Sequence, residues 1–152
     1  MQYKLEIEIK ADRDKVVALM DDPANMPHWQ RGFVAIEHLS GELGQEGSKS
    51  KLIYQLGKRN IEMIETITRR DLPAHFDAIY ETGNVWNEMR NTFSTTSSGH
   101  TLWSSEVIFR FSSFGMRMMG WLMPKAFKKQ SLQYMQDFKA FVEEGRSVQE
   151  QA

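Results

Sequence analysis

Glu65 is the carboxylate that stands out in this chain, because Ile61, Met63 and Ile67 share its parity in an extended-looking segment. Residues two apart in a strand lie on one face. If that face is concave, Glu65 points into an interior. A carboxyl there loses hydration, its pKa rises, and it suits general acid or base work. The bland alternative is an outer face, or a carboxyl neutralised by Tyr80, Asn87 or Asn91, since structural networks also hold buried acids. Asn87 and Asn91 share parity with Val85, Met89 and Phe93. Polar side chains on an apolar face need partners. A ligand carbonyl or hydroxyl would serve, and so would buried water or a covering helix. Ser131 and Tyr134 form a similar polar pair in the last helical pattern.

Other chemistry is not signalled. No GxSxG, HExxH, P-loop or GxGxxG occurs. Gly41, Gly44 and Gly47 punctuate a loop, but Glu42 and Glu46 beside them would repel phosphate. His28, His38, His75 and His100 show no metal-ligand spacing, so no metal and no cofactor are expected. The chain has no Cys, which excludes disulfides, thiolate metal sites and a thiol nucleophile. A formal net charge of −1 supplies no field for bulk nucleic-acid binding. The first ten residues alternate apolar and charged types, unlike the apolar centre of a signal peptide, and a cytoplasmic location is the expectation.

The elements that must position these residues follow from pattern. Tyr3, Leu5, Ile7 and Ile9 alternate with charges as a half-buried strand. Asp12 caps a short helix through Asp22, and Pro23 and Pro27 bracket a second short helical turn, ANMPHW. Strands are expected over 33–39, 48–56, 60–69, 75–81, 85–94 and 101–111, joined at Gly57-Lys58, Asp71-Leu72-Pro73, Gly83-Asn84 and Ser97-Ser98-Gly99. A helical pattern runs from a Ser112 or Ser113 cap to Glu144, with Gly145 as its stop and a kink or break at Pro124. One antiparallel sheet of seven strands must cover one face, and a single long helix cannot fill a wide concave sheet. The remainder would be a cavity.

Several stretches carry a resemblance. ADRDKVVALMDDPANMPHW, GELGQEGSKSKLIY, EMIETITRRDLPAHF and LMPKAFKKQSLQYMQDFKAFVE resemble the SRPBCC superfamily of START and Bet v 1-like proteins. The likeness runs to its bacterial polyketide cyclase/dehydrase-like branch. It covers nearly the whole chain, through scaffold motifs rather than catalytic ones. It implies an α+β helix-grip fold. A seven-stranded curved antiparallel sheet would wrap a long C-terminal helix, with two short helices after the first strand and an apolar cavity between sheet and helix. Residues 1–145 would form the domain and 146–152 a short tail.

The stretch FGMRMMGWLMPKAFKKQ holds four of the ten Met. Charges and Pro124 keep it below the ~20 apolar residues of a membrane span. Three readings stay open: a flexible cavity wall, core packing, or an interfacial patch in which Trp121 and Phe127 sit beside Arg117, Lys125, Lys128 and Lys129. Transient membrane contact therefore stays open, and oligomeric state is not readable. The favoured function is binding or carriage of an apolar small molecule, such as a lipid, isoprenoid or polyketide-like compound. The expected ligand contacts are Trp29, Tyr54, Met63, Tyr80, Asn87, Met89, Asn91, Trp103, Met119, Met123, Phe127 and Ser131. The alternative is a cyclase or dehydratase using Glu65 as its acid or base, and fold alone does not separate the two.

Overall fold

The structure, a computed structural model, describes residues 1–151. Strand β1 (Gln2–Ile9) precedes α1 (Arg13–Asp21), a 3-10 turn at Pro23–Asn25 and α2 (Met26–Trp29). A six-strand meander follows: β2 (Phe33–Ser40), β3 (Lys49–Leu56), β4 (Arg59–Asp71), β5 (His75–Thr82), β6 (Val85–Thr95) and β7 (Thr101–Phe111). Helices α3 (Phe114–Leu122) and α4 (Pro124–Glu144) close the fold, and a 3-10 turn at Val148–Gln151 ends it. The seven strands form one antiparallel sheet in the order β1-β7-β6-β5-β4-β3-β2. This is the helix-grip arrangement.

Local chemistry explains the boundaries. The Asp12 carboxylate accepts from the Lys15 N–H at 2.9 Å and caps α1. Ser113 caps α3 through the Met116 N–H at 3.2 Å. The break between α3 and α4 falls at Pro124. Its missing N–H costs nothing at the first position of a new helix. Gly145 takes φ +66° at the end of α4, the left-handed position that favours glycine. Gly32, before β2, is held more tightly. Its φ is +77°, and a Cβ there would lie 2.5 Å from the Gln55 carbonyl oxygen.

The core lies between the sheet and the inner side of α4. Ile9, Val16, Trp103, Met135 and Phe138 are all but fully buried. Burial of each such side chain stabilises by about 1.5–3 kcal/mol. Aromatic rings fill the centre. Trp103 meets Phe138 edge-on at 5.5 Å, and Trp29 reaches Phe138 and Tyr134 at 4.8 Å each. An ion pair fixes α4 from outside. Arg31 donates to both Asp137 oxygens, at 2.7 and 3.1 Å, and Gln133 Nε2 adds a bond at 3.0 Å.

Candidate functional site

Register carries the polar residues to one place. Glu65 pairs with Ser50 on one side and Tyr80 on the other, and Tyr80 pairs with Asn87. Directly paired residues project from the same face of a sheet. Ser50, Glu65, Tyr80 and Asn87 therefore form a polar row across the concave face. A second row, Ile67, Ala78, Met89 and Val107, is apolar. Beyond Ile67 the register shifts, and Arg70 rather than Arg69 pairs with the inward-facing Phe76. Such a bulge re-aims side chains, and it brings Arg70 to the rim.

These rows line a cavity of about 130 Å³ between the sheet, α1, α2 and α4. Glu65, Tyr80, Met89 and Asn91 come to it from the sheet, with Trp29 from α2 and Tyr134 from α4. At its rim Arg70 clasps Asp21 through paired bonds of 2.6 and 2.7 Å, tying the end of α1 to β4. The wide cavity expected from counting elements is thus mostly filled. Trp29, Phe93, Trp103 and Tyr134 all reach into it.

Hydrogen bonds sort the polar groups. Gln30 is almost fully buried. It accepts from the Tyr54 hydroxyl at 2.6 Å and donates to the Tyr134 hydroxyl at 3.2 Å. Asn91 accepts from the Trp103 indole at 3.0 Å and donates to the Phe76 carbonyl at 3.1 Å. Its amide is therefore committed to the protein although the residue lines the cavity. Three buried polar atoms have no hydrogen-bond partner among the described residues: Trp29 Nε1, Asn87 Oδ1 and Ser105 Oγ.

Glu65 combines burial with a neutral hydrogen-bond partner, Tyr80. Desolvation raises its pKa, and the hydrogen bond from Tyr80 partly opposes that rise. Burial in turn pushes the Tyr54, Tyr80 and Tyr134 hydroxyls upward, and the Glu65 charge reinforces this. A stability consequence follows. A carboxyl whose folded pKa exceeds its unfolded value binds protons more tightly in the native state. Its ionisation then costs stability as pH rises from the unfolded value of about 4 through the folded one. Glu65→Gln keeps an acceptor for Tyr80 and cannot ionise. We expect it to match the parent near pH 4 and to be the more stable protein at pH 8, read from urea midpoints at both values. A parent that outlasts the variant at pH 8 would mean that the ionised carboxylate is stabilised where it sits.

The predicted contacts divide by position. Trp29, Glu65, Tyr80, Met89, Asn91 and Trp103 line the cavity, and Tyr54 joins its polar network. Asn87 and Met63 lie on the concave strands outside the lining. Phe127 packs on Phe109 and Phe111, away from the cavity. Ser131 is bonded to the Tyr3 hydroxyl at 2.6 Å. Met119 and Met123 stand 47% and 54% exposed at the surface and do not reach the cavity. His28 stacks on Phe141 and bonds to Ser147, facing the C-terminal segment. Sequence reasoning missed Gln30 and the rim pair Asp21–Arg70. Among the described residues no group of three or more His, Asp or Glu is placed to hold a metal ion.

The chain matches no family model and no curated relative. Solved structures share its fold. A conserved protein from Geobacillus kaustophilus superposes with a TM-score of 0.74 at 18% identity, covering 96% of this chain and 97% of that one. Ara h 8.0201 gives 0.72 at 12% identity over 93% and 97%. Ginseng major latex-like protein 151 from Panax ginseng gives 0.70 at 14% over 92% and 95%. At these identities the likeness speaks for the fold.

Proposed function

We propose that this chain is a START/Bet v 1-like binding protein that holds an apolar small molecule between its sheet and α4. The observation that carries the reading is the cavity's chemistry. Its walls are largely apolar and carry a few polar groups, the Glu65 carboxyl among them. Trp29, another wall residue, has a buried indole N–H with no hydrogen-bond partner among the described residues. Apolar walls with a few convergent polar groups are what a small-molecule site needs. Size narrows the ligand class. At about 130 Å³ the cavity is below the roughly 300 Å³ at which ordinary ligand pockets begin. It matches the roughly 150 Å³ that accepts a benzene ring. A single-ring compound with an oxygen acceptor for Trp29 fits the cavity as it stands. A lipid, isoprenoid or polyketide-like molecule requires the Asp21–Arg70 rim to part.

The test is native mass spectrometry of freshly purified protein, then denaturing extraction and identification of what is released. Expected is one apolar compound per chain, or, from an apo preparation, a raised melting temperature with simple phenols or aryl ketones. An apo mass together with no thermal shift across such a panel would overturn the reading.

The Glu65–Tyr80 pair favours a second reading, a cyclase or dehydratase in which Glu65 moves the proton. A raised carboxyl pKa beside a hydroxyl is what a general acid needs near neutral pH. Glu65→Gln separates the two, because a carrier keeps its ligand and an enzyme keeps its ligand but loses turnover.

A further inference from the structure

The apolar stretch that opens at Phe114 is not absorbed by the cavity. Helix α3 packs on the sheet through Gly120, where a Cβ would lie 2.7 Å from the Phe111 ring. Met116, one turn earlier, is half-buried beside it. The opposite face carries Phe114, Met118, Trp121 and Leu122 at helical spacing. They are 75%, 44%, 79% and 61% exposed. Met119 and Met123 are exposed as well. Arg117 is the only charged residue of α3. A helix apolar on every side is ordinarily buried, in protein or in lipid.

Charge says what covers it. From residue 107 through 136 the chain has no Asp or Glu but carries Arg110, Arg117, Lys125, Lys128 and Lys129, a local charge of +5. The whole chain is −1, so the remainder is −6. Lys125, Lys128 and Lys129 are exposed on the first turns of α4, beside the apolar face. A second copy docking by two-fold symmetry would set this patch against itself, cations facing cations. An anionic bilayer answers both features at once, because apolar rings enter the headgroup region while lysines meet lipid phosphates. Trp is at home at that boundary.

We propose that α3 and the first turns of α4 form a docking face for anionic membranes, with Phe114, Trp121 and Leu122 inserted and Lys125, Lys128 and Lys129 at the headgroups. Among the described residues no helix is long and apolar enough to span, so the contact is peripheral. The proposal stands independently of what the cavity holds.

Vesicle flotation tests it, with phosphatidylcholine alone and with phosphatidylcholine carrying about 30% phosphatidylglycerol. The protein is expected to float with the anionic vesicles and not with the neutral ones. Trp121→Ser/Leu122→Ser should weaken binding about tenfold or more. Lys125→Glu/Lys128→Glu/Lys129→Glu should remove the preference for anionic lipid. All five positions are exposed, so melting temperatures should be unchanged. Lipids brominated near the carbonyl should quench part of the parent's fluorescence, and that part should vanish in Trp121→Ser. The proposal is overturned if the parent does not float with anionic vesicles or if neither variant changes flotation. It is also overturned if light scattering shows a dimer that Trp121→Ser dissociates, which would assign the face to a second copy.

Discussion

Replacing Trp103 by Ala is expected to cost about 3–5 kcal/mol, the range for deleting a large buried aromatic. Trp103 is 1% exposed. It stacks on Phe93 at 6.0 Å and meets Phe138 edge-on at 5.5 Å, so it joins the sheet to α4. Its indole N–H is also the donor to Asn91 Oδ1 at 3.0 Å. Truncation therefore opens a cavity and leaves a buried amide oxygen without its donor, and both effects point the same way. Trp103→Phe retains most of the apolar contact and loses only the hydrogen bond, so about 1–3 kcal/mol is expected. Urea unfolding followed by far-ultraviolet circular dichroism measures both without relying on the fluorophore removed. Because single domains hold only about 5–15 kcal/mol in total, the Ala variant should sit near the edge of folding. A loss below about 1 kcal/mol for Trp103→Ala would show that sheet and α4 do not close around this ring.

The strands were legible because their physics is local. Alternation in β1 and β7, glycines at the turns, and Ser113, Pro124 and Gly145 around the last two helices each act within a few residues. Glu65 was legible for the same reason: its parity placed it on the face that Ile67 shares. The cavity's size was not. It depends on how far Trp29 and Tyr134 reach from helices distant in sequence, and alternation carries no volume. Gln30 was hidden because it is one polar residue at the end of a four-residue helix, too short for a period to show which side is buried. The rim was hidden by the bulge after Ile67. Strict alternation turns Arg69 inward, and one extra residue hands that position to Arg70. Helix α3 was ambiguous for a different reason. A segment apolar on all sides has no face for periodicity to reveal, so cavity wall, core and surface gave the same pattern. Its exposure follows from Gly120, whose contact with Phe111 settles which side meets the sheet.

Trp29→Ala is the other substitution with a large expected effect, and here stability and binding should part. Trp29 is 3% exposed and packs against Tyr134 and Phe138, so truncation should again cost about 3–5 kcal/mol. The space released adjoins the cavity that Trp29 lines. The variant should therefore accept ligands larger than a single ring, seen as thermal stabilisation by compounds that leave the parent unmoved. Trp29→Phe isolates the polar half of the argument. Unlike Trp103, Trp29 has an indole N–H with no partner among the described residues. Removing it breaks no internal bond, and a buried unpartnered donor is itself costly. Trp29→Phe should thus cost clearly less stability than Trp103→Phe in ligand-free protein. If that N–H anchors a ligand oxygen, the same change should weaken binding about tenfold, or roughly 1.4 kcal/mol. Two indoles in one core, with one N–H committed to Asn91 and the other without a partner among the described residues, give a comparison that general packing cannot imitate. Equal losses from the two Trp→Phe changes, with ligand affinity untouched, would mean that the Trp29 N–H is already satisfied. The binding reading would then lose that donor and would rest on the other polar groups of the lining, Glu65 and Tyr80 among them.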